Sequence, residues 1–287
     1  MLPERLANDP RLLPFRGDLA AETLRGRVRA ARYATGVRRV VCVGVVSVRK
    51  AHEAGAEQVN QALRGEGFVQ YDEQEGWAWG QLEADQYVGW VRADELGELA
   101  PATHRVSALR TFVYERPDMK SRVLQAVSMN ALLALGAVEG NFLKVHEGGW
   151  VFARHVGLLG DFEQDFVAVA ERFVGSPYLW GGRESAGIDC SGLVQVSLQA
   201  TGVSPLRDSD MQEQTIGEPL APAADYSNLR RGDLVFWRGH VGIMSDARNL
   251  LHASARDMKV EIEPLAEAVA RIRPFAGEVR SVRRLKA

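Results

Sequence analysis

Three residues in the last third of the chain could support nucleophilic catalysis: Cys190, His240 and His252. After Cys190 the apolar residues recur at helical spacing, and Gly202 is typical of a helix end, so the pattern predicts a helix that begins at Cys190. At a helix N-terminus, unpaired N–H groups and the helix dipole favour a thiolate over a thiol. Cys190 is therefore interpreted as a nucleophile rather than as a buried structural thiol.

The two histidines lie on predicted short strands. His240 interrupts the apolar run 239–244, and His252 lies in the run 250–254. If these strands pair as a hairpin across the Ser245–Asn249 turn, both imidazoles can face one side of the sheet, and the Cys190 helix can pack there. A nucleophile of this kind needs a base and a group that orients the base. The pattern predicts Cys190 as nucleophile, His240 as base and His252 as orienting group.

A structural role or a metal site could also account for these histidines. A lone histidine on an apolar strand is usually a hydrogen-bonded core residue, but the glycines that flank His240, Gly239 and Gly242, would leave room for a substrate. A metal site fits poorly, because two histidines at this spacing with one cysteine do not match known zinc motifs. No metal and no cofactor are expected.

The stretches Pro177–Val194 and Arg231–Ser254 resemble the NlpC family of papain-like cysteine peptidases, which hydrolyse bacterial cell-wall peptides. The Asp-Cys-Ser-Gly element at 189–192, the Gly-His-Val-Gly element at 239–242 and the later His252 occur in the family's order and near its spacing. A weaker similarity to bacterial SH3-like domains covers much of the preceding chain. The resemblance implies an α+β fold, with a papain-like peptidase domain preceded by two small SH3-like β-barrels.

Asp189 is unexpected beside a nucleophile, because a neighbouring carboxylate should raise the pKa of the thiol. Its presence makes sense if it points away from the sulfur and pairs with a cation on the substrate. In the family, this Asp and the Ser after the cysteine contact the free α-amine of an N-terminal L-Ala. The resemblance therefore implies that role for Asp189 and Ser191. Capping of the helix is an alternative role for Ser191, and both roles could hold.

The resemblance also implies further substrate contacts. Glu66 and Tyr87 of the first predicted barrel match residues that close the amine pocket in family members with SH3-like domains, and Ser209 matches another polar contact. For these three, a solvated turn residue or a barrel aromatic is an equally open interpretation. Tyr178 matches a tyrosine near the oxyanion site, where its hydroxyl could donate to the developing negative charge. Trp180 is expected to shape the cleft.

Strand and turn patterns divide the chain into four segments. Residues 1–36 show no sustained periodicity and are predicted to be an irregular arm with one helical turn around Ala20–Leu24. Residues 37–100 and 101–160 repeat the same order of short strands and turns, which predicts two barrels, and Trp150 takes the place of Trp90. Residues 161–287 form the peptidase domain, beginning with a helix that Asp161 could cap.

Composition limits the remaining classes of function. The 35 basic and 37 acidic residues give a net charge of −2, so the sequence shows no basic footprint for nucleic acid. The two cysteines, Cys42 and Cys190, fall in different predicted domains, which argues against a structural disulfide. The N-terminal region lacks a signal-peptide pattern, and no apolar run is long enough to span a membrane. We therefore expect a cytoplasmic protein without a membrane partner.

These observations predict a cysteine peptidase that acts by acyl transfer. The resemblance implies cleavage of the γ-D-glutamyl–diamino acid bond in murein peptides with a free N-terminal L-Ala, such as L-Ala-γ-D-Glu-diaminopimelate, during cell-wall recycling. One alternative is an exported endopeptidase that acts on intact peptidoglycan stems. Another is a wall-binding protein whose peptidase domain is inert.

Overall fold

The computed structural model describes residues 3–285. It consists of two compact units, Met1–Asp161 and Phe162–Ala287. Within the described part of the chain, every helix is too short or too polar to cross a bilayer.

The first unit begins with a short helix, α1 (Glu4–Ala7), and three short strands. The strands form one sheet and are β1 (Phe15–Arg16), β2 (Leu19–Ala21) and β3 (Arg32–Ala34). The predicted helical turn is present as a single 3-10 turn at Glu22–Leu24. The prediction of an otherwise irregular arm over residues 1–36 was wrong, because strands of two or three residues are too short to show a periodic pattern.

The arm contributes to the core of the first barrel. Leu19 is buried against Trp77, Trp79 and Trp90. The guanidinium of Arg16 lies over the rings of Trp79 and Trp90, at 4.7 and 4.9 Å from their centroids. This contact is a cation–π arrangement, in which the ring face attracts the positive charge. The arm therefore belongs to the folded domain that follows it.

Seven strands form the first barrel, in the order β10-β4-β7-β8-β9-β5-β6. They are β4 (Val37–Val41), β5 (Val45–Arg49), β6 (Gln58–Leu63), β7 (Gly67–Gln74), β8 (Trp77–Leu82), β9 (Val88–Arg92) and β10 (Leu96–Gly97). The strands and the 3-10 turn at Ala93–Glu95 agree with the predicted small barrel.

A second set of strands follows in a similar order along the chain but forms two sheets, β14-β11-β18 and β13-β12-β17-β16-β15. It comprises β11 (His104–Val106), β12 (Arg110–Tyr114), β13 (Val123–Ser128), β14 (Leu132–Leu133), β15 (Leu135–Glu139), β16 (Phe142–Val145), β17 (Trp150–Phe152) and β18 (Val156–Leu158). A 3-10 turn at Ala153–His155 follows β17, as the turn at Ala93–Glu95 follows β9. Leu63 of the first barrel packs in the apolar core of the second, so the two share buried surface.

The second unit is α+β. Its elements are α2 (Phe166–Glu171), β19 (Arg183–Glu184), β20 (Gly187–Ile188), α3 (Cys190–Ala200), α4 (Ser209–Thr215), β21 (Glu218–Leu220), β22 (Leu234–Trp237), β23 (His240–Met244), β24 (Asn249–Ser254), β25 (Lys259–Pro264), α5 (Leu265–Ala276) and β26 (Ser281–Arg284). Six of the strands form an antiparallel sheet in the order β21-β26-β22-β23-β24-β25. The predicted fold class is confirmed.

The helix α2 begins later than the sequence suggested. Its N-cap is Asp165, whose Oδ1 accepts hydrogen bonds from the N–H groups of Val167 and Ala168 at 2.9 and 3.2 Å. A capping side chain must adjoin the first helical turn, and Asp161 lies too far upstream to reach it. Asp161 instead accepts from the N–H of Leu158.

The core of the second unit fixes the sheet that carries both histidines. The apolar face of α5 packs with Val235 of β22, Met244 of β23 and Leu250 of β24. Close packing of this kind leaves little freedom for the strands to shift. The hairpin β23–β24 is therefore held in a defined position.

Candidate active site

Cys190 is the first residue of α3, as predicted. The residue before it, Asp189, is the N-cap, and its Oδ1 accepts from the N–H of Gly192 at 2.7 Å. An N-cap side chain satisfies one of the helix N–H groups that lack a partner within the helix. Asp189 rather than Ser191 therefore caps the helix. Cys190 itself is 7% exposed.

Both imidazoles meet on the predicted hairpin. Strands β23 and β24 pair antiparallel, with Ile243 opposite Leu251 and Met244 opposite Leu250. His240 Nε2 lies 2.8 Å from His252 Nδ1. Helix α3 packs against both strands. The structure therefore brings the two histidines together on strands that contact the Cys190 helix.

Backbone conformation and close packing explain the glycines around His240. Gly239 has φ of +75°, which suits the two-residue turn between β22 and β23. A Cβ on Gly242 would lie 2.7 Å from Leu250 Cδ1, so this position needs glycine for close packing. The turn and the packing are sufficient reasons for glycine at both positions, so these glycines give no evidence of space for a substrate.

A carboxylate completes the contacts of the imidazole pair. Glu263 Oε1 lies 2.8 Å from His252 Nε2, and Arg271 of α5 pairs with the same oxygen. Glu263 was not predicted. Strand pairing could have indicated it. Glu261 lies directly opposite His252, and Glu263 is two residues further along the same strand, on the same face. We call His240, His252, Glu263 and Arg271 the imidazole–carboxylate network.

The sulfur is not activated in the way the sequence suggested. Burial raises the pKa of Cys190 to about 12, and the charge of Asp189 acts in the same direction. Arg207 and the N–H groups of Val241 and Ser191 lower the pKa, but their effect is smaller. Burial lowers the pKa of His240 to about 3, and positive charge on His252, when it is protonated, and on Arg271 acts in the same direction. The resting site therefore holds a neutral thiol and a neutral imidazole.

Asp189 has a cation partner within the protein. Arg207 donates from Nη1 to Oδ1 at 2.9 Å and from Nη2 to Oδ2 at 2.5 Å. Arg207 Nη1 also donates to the hydroxyl of Ser191 at 2.8 Å. Arg207 was not predicted, because a substrate cation was expected in this place. Contact of Asp189 or Ser191 with a substrate amine stays a prediction.

Helix α4 supports this ion pair. The amide of Gln212 donates to the carbonyl oxygens of Ser191 and Leu206 at 2.9 and 3.0 Å. These bonds tie the segment that carries Arg207 to the start of α3. Ser209, predicted as a polar substrate contact, is the buried first residue of α4.

Tyr178 lies close to Cys190. Burial raises the pKa of its hydroxyl, and the charge of Asp189 acts in the same direction, so the phenol keeps its proton. A protonated phenol can donate to an oxyanion. Its backbone N–H donates to the carbonyl of Met258 at 2.9 Å. Trp180 is 57% exposed, and its role in shaping a cleft stays a prediction.

Glu66 and Tyr87 belong to the first unit, where both are buried. Glu66 Oε2 accepts from the N–H of Leu63 at 2.9 Å, and the N–H of Tyr87 donates to Asp85 at 3.1 Å. Neither residue is a solvated turn residue. Their contact with a substrate remains a prediction from the resemblance.

One group of side chains in the described part of the chain has metal-ligand spacing. The donor atoms of His252, Glu261 and Glu263 lie within 4.8 Å of one another. The facing atoms of His252 and Glu263 are already joined by a hydrogen bond, and Arg271 occupies the same carboxylate oxygen. We assign no metal to this group.

Comparison with protein families gives two matches. Residues 175–276 match the model of the NlpC/P60 family, and residues 48–96 match that of the bacterial dipeptidyl-peptidase Sh3 domain. The first match contains Cys190, His240, His252, Glu263 and Arg271. The second lies within the first barrel.

Individual relatives agree with these matches. The chain is 33% identical over 106 residues to dipeptidyl-peptidase 6 of Lysinibacillus sphaericus, covering 37% of this chain and 38% of that protein. It is 29% identical over 202 residues to a gamma-D-glutamyl-L-lysine dipeptidyl-peptidase of Bacillus subtilis, covering 64% of this chain and 65% of that protein. The chain thus spans less than two thirds of the length of these relatives.

A crystal structure shows the same fold. The NlpC/P60 family protein from Bacillus cereus superposes with a TM-score of 0.72 at 19% identity, covering 86% of this chain and 99% of that one. Residues 175–276 therefore carry an NlpC/P60 domain, and residues 48–96 carry a bacterial dipeptidyl-peptidase Sh3 domain.

Proposed function

We propose that this chain is a cysteine peptidase that hydrolyses the γ-D-glutamyl–diamino acid bond of murein peptides with a free N-terminal L-Ala. The observation that carries the proposal is the 2.8 Å contact between His240 and His252, on strands packed against the helix that begins at Cys190. A nucleophile, a base and an orienting group are the minimum set for acyl transfer.

In the first half of the reaction, the Cys190 proton moves to His240 as the sulfur attacks the γ-glutamyl carbonyl. The carbonyl oxygen becomes an oxyanion, for which the Tyr178 hydroxyl is a candidate donor. His240 then gives its proton to the leaving amine, and the C–N bond breaks. The products of this half are a thioester on Cys190 and the free diamino acid.

In the second half, water attacks the thioester while His240 accepts its proton. The tetrahedral intermediate collapses, the C–S bond breaks, and the proton returns to the sulfur. The glutamyl carboxylic acid leaves with the residue before it. Because the resting thiol and imidazole are both neutral, proton transfer accompanies attack instead of preceding it.

The choice of bond rests on the relatives. The Bacillus subtilis relative is named a gamma-D-glutamyl-L-lysine dipeptidyl-peptidase, and its alignment extends beyond the NlpC/P60 domain. A dipeptidyl-peptidase releases a dipeptide from a free N-terminus, which supports a requirement for the free amine of L-Ala. Such a requirement would exclude stems still attached to glycan, so we place the enzyme in cell-wall recycling in the cytoplasm.

The test is the release of L-lysine or diaminopimelate from L-Ala-γ-D-Glu-L-Lys and L-Ala-γ-D-Glu-diaminopimelate, and from their N-acetylated forms. We expect turnover of the free-amine peptides alone. Cys190→Ala should lower the rate by at least about a thousandfold. Cys42→Ala, which removes the second cysteine, should leave it unchanged.

Two results would decide against the proposal. Equal turnover of N-acetylated peptides would favour an endopeptidase that acts on intact stems. Absence of turnover by the folded wild type would favour an inert wall-binding protein.

A further inference from the structure

We propose that Glu263 is a positioning residue that acts through His252 to keep His240 in the tautomer able to take the Cys190 proton. This inference rests on the proposed peptidase function. Its physical basis is the geometry of the imidazole–carboxylate network, in which every contact between neighbouring groups is a hydrogen bond or an ion pair.

The carboxylate sets the proton position on His252. His252 donates its Nε2–H to Glu263, which keeps the pKa of that carboxyl below its ordinary value, so Glu263 is an acceptor. Arg271 pairs with the same carboxylate from α5. Because Glu263 only accepts, the hydrogen in this contact must be on His252 Nε2. A neutral His252 then has an unprotonated Nδ1.

The same reasoning applies to the proton position on His240. His252 Nδ1 accepts at 2.8 Å, so the hydrogen in that contact must be on His240 Nε2. A neutral imidazole carries one N–H, which leaves His240 Nδ1 with its lone pair. That lone pair is what a base needs to accept the thiol proton. Through these two hydrogen bonds, the Glu263 carboxylate determines which ring nitrogen of His240 carries the proton.

The charge of Glu263 matters as well as its position. His240 becomes an imidazolium during attack, and burial opposes that charge. Glu263 provides the negative charge of the network, while Arg271 opposes protonation of His240. Other ionisable groups close by are Glu261 on β25 and Arg256, whose charge interacts with both Glu263 and Glu261. Cys190 lies near the N–H of Val241, the residue after His240.

Glu261 supplies a matched control. It lies on the same strand as Glu263 and directly opposite His252, but its carboxylate pairs with Lys259 at 3.5 Å. Glu263→Gln and Glu261→Gln each replace one carboxylate with an amide of nearly the same shape. Only the first changes a group that is hydrogen-bonded to His252.

The first measurement is independent of activity. Nitrogen-15 NMR of the imidazole rings, in a Cys190→Ala background, reports which nitrogen of each histidine carries the proton. We expect Nε2–H on His240 in the parent and in Glu261→Gln. In Glu263→Gln the amide can also donate, so we expect Nδ1–H forms of both histidines. Parent tautomers in Glu263→Gln would overturn the inference, whether or not the peptidase function holds.

The second measurement is kinetic. Glu263→Gln should lower kcat about 10- to 100-fold with KM changed less than about threefold, which is typical of removing a group that orients a functional imidazole. Glu263→Asp keeps the charge and should restore part of the loss. Equal losses in Glu261→Gln and Glu263→Gln would contradict a specific role for Glu263.

The pH profile separates positioning from folding. Loss of the Glu263 charge should move the acid limb of kcat/KM to lower pH, because protonated His240 loses a stabilising anion. Arg271→Met removes a cation and should move the limb to higher pH. Shifts in the same direction would overturn the inference. If Glu263→Gln does not fold, the NMR experiment is repeated with Glu263→Asp. The shorter side chain weakens the hydrogen bond to His252 Nε2, so we expect detectable Nδ1–H forms of the histidines.

Discussion

Arg207 and Asp189 form a buried two-point ion pair at the start of the helix that carries Cys190. The guanidinium donates to both carboxylate oxygens, at 2.9 and 2.5 Å, and Arg207 is 1% exposed. Asp189 Oδ2 also accepts from the N–H of Gly181 at 2.8 Å. The pair thus links α3, the loop before it and the segment before α4. It also places opposite charges beside the sulfur.

Breaking this pair should destabilise the second unit. Arg207→Met leaves the Asp189 carboxylate buried without its cation, which typically costs about 3–5 kcal/mol of the free energy of unfolding. The measurement is urea unfolding. The double variant with Asp189→Asn should cost less than the sum of the single variants, because neither charge is then left alone.

Arg231→Met is the control for that experiment. Arg231 makes a comparable pair of contacts with Asp165 and Glu171, but its side chain is much more exposed. An exposed pair contributes about 0.2–1 kcal/mol. Similar losses for Arg207→Met and Arg231→Met would show that burial of the first pair has no energetic consequence.

Removing the Asp189 charge should make Cys190 more reactive towards alkylation. The carboxylate raises the pKa of the thiol and Arg207 lowers it, so Asp189→Asn shifts the pKa of Cys190 downward. Asparagine still accepts as an N-cap, which preserves the helix start. The measurement is the rate of iodoacetamide labelling against pH in a Cys42→Ala background. Each unit of decrease gives about a tenfold higher thiolate fraction at a given pH. Slower or unchanged labelling would contradict the expected effect of the charge.

The sequence predicted the parts of the site that lie on one element or on neighbouring elements. A helix start at Cys190 and a hairpin carrying His240 and His252 both follow from local periodicity. Glu263 and Arg207 were missed because their contacts depend on strand register and on a loop that returns to α3. Local sequence does not encode either relationship.

The expected activation of Cys190 shows a second limit. A helix N-terminus does favour a thiolate, and the N–H of Ser191 lowers the pKa of the thiol. Burial acts in the opposite direction and is larger, and it arises from packing by parts of the chain far from Cys190. The sequence thus predicted the position of Cys190 at the start of a helix but not the protonation state of its thiol.

The fold of the second unit should lose stability in acid through His240. Its pKa is about 3 in the folded state, against an ordinary value of 6.5, so the unfolded chain binds more protons between these values. The contribution to stability is therefore fully present above about pH 6.5 and is lost as the pH falls towards 3. Each pH unit within that window corresponds to at most about 1.4 kcal/mol. The measurement is the free energy of unfolding between pH 4 and pH 7, with pH values set at about one-unit steps.

His240→Gln should flatten that dependence, because glutamine does not titrate. His146→Gln is the control, since the His146 side chain is 72% exposed. A steep dependence that persists in His240→Gln would assign the acid sensitivity to different groups.

The N-terminal arm should stabilise the first barrel. Leu19 is fully buried against three tryptophans, so Leu19→Ala leaves a cavity and should lower the free energy of unfolding by about 2–5 kcal/mol. Tryptophan fluorescence during urea unfolding reports the loss directly, because Trp77, Trp79 and Trp90 line that contact. Val37→Ala is the control, since Val37 is 58% exposed and surface substitutions usually change stability by less than about 0.5 kcal/mol. Equal effects of the two variants would mean that the arm lies on the barrel without contributing to its core.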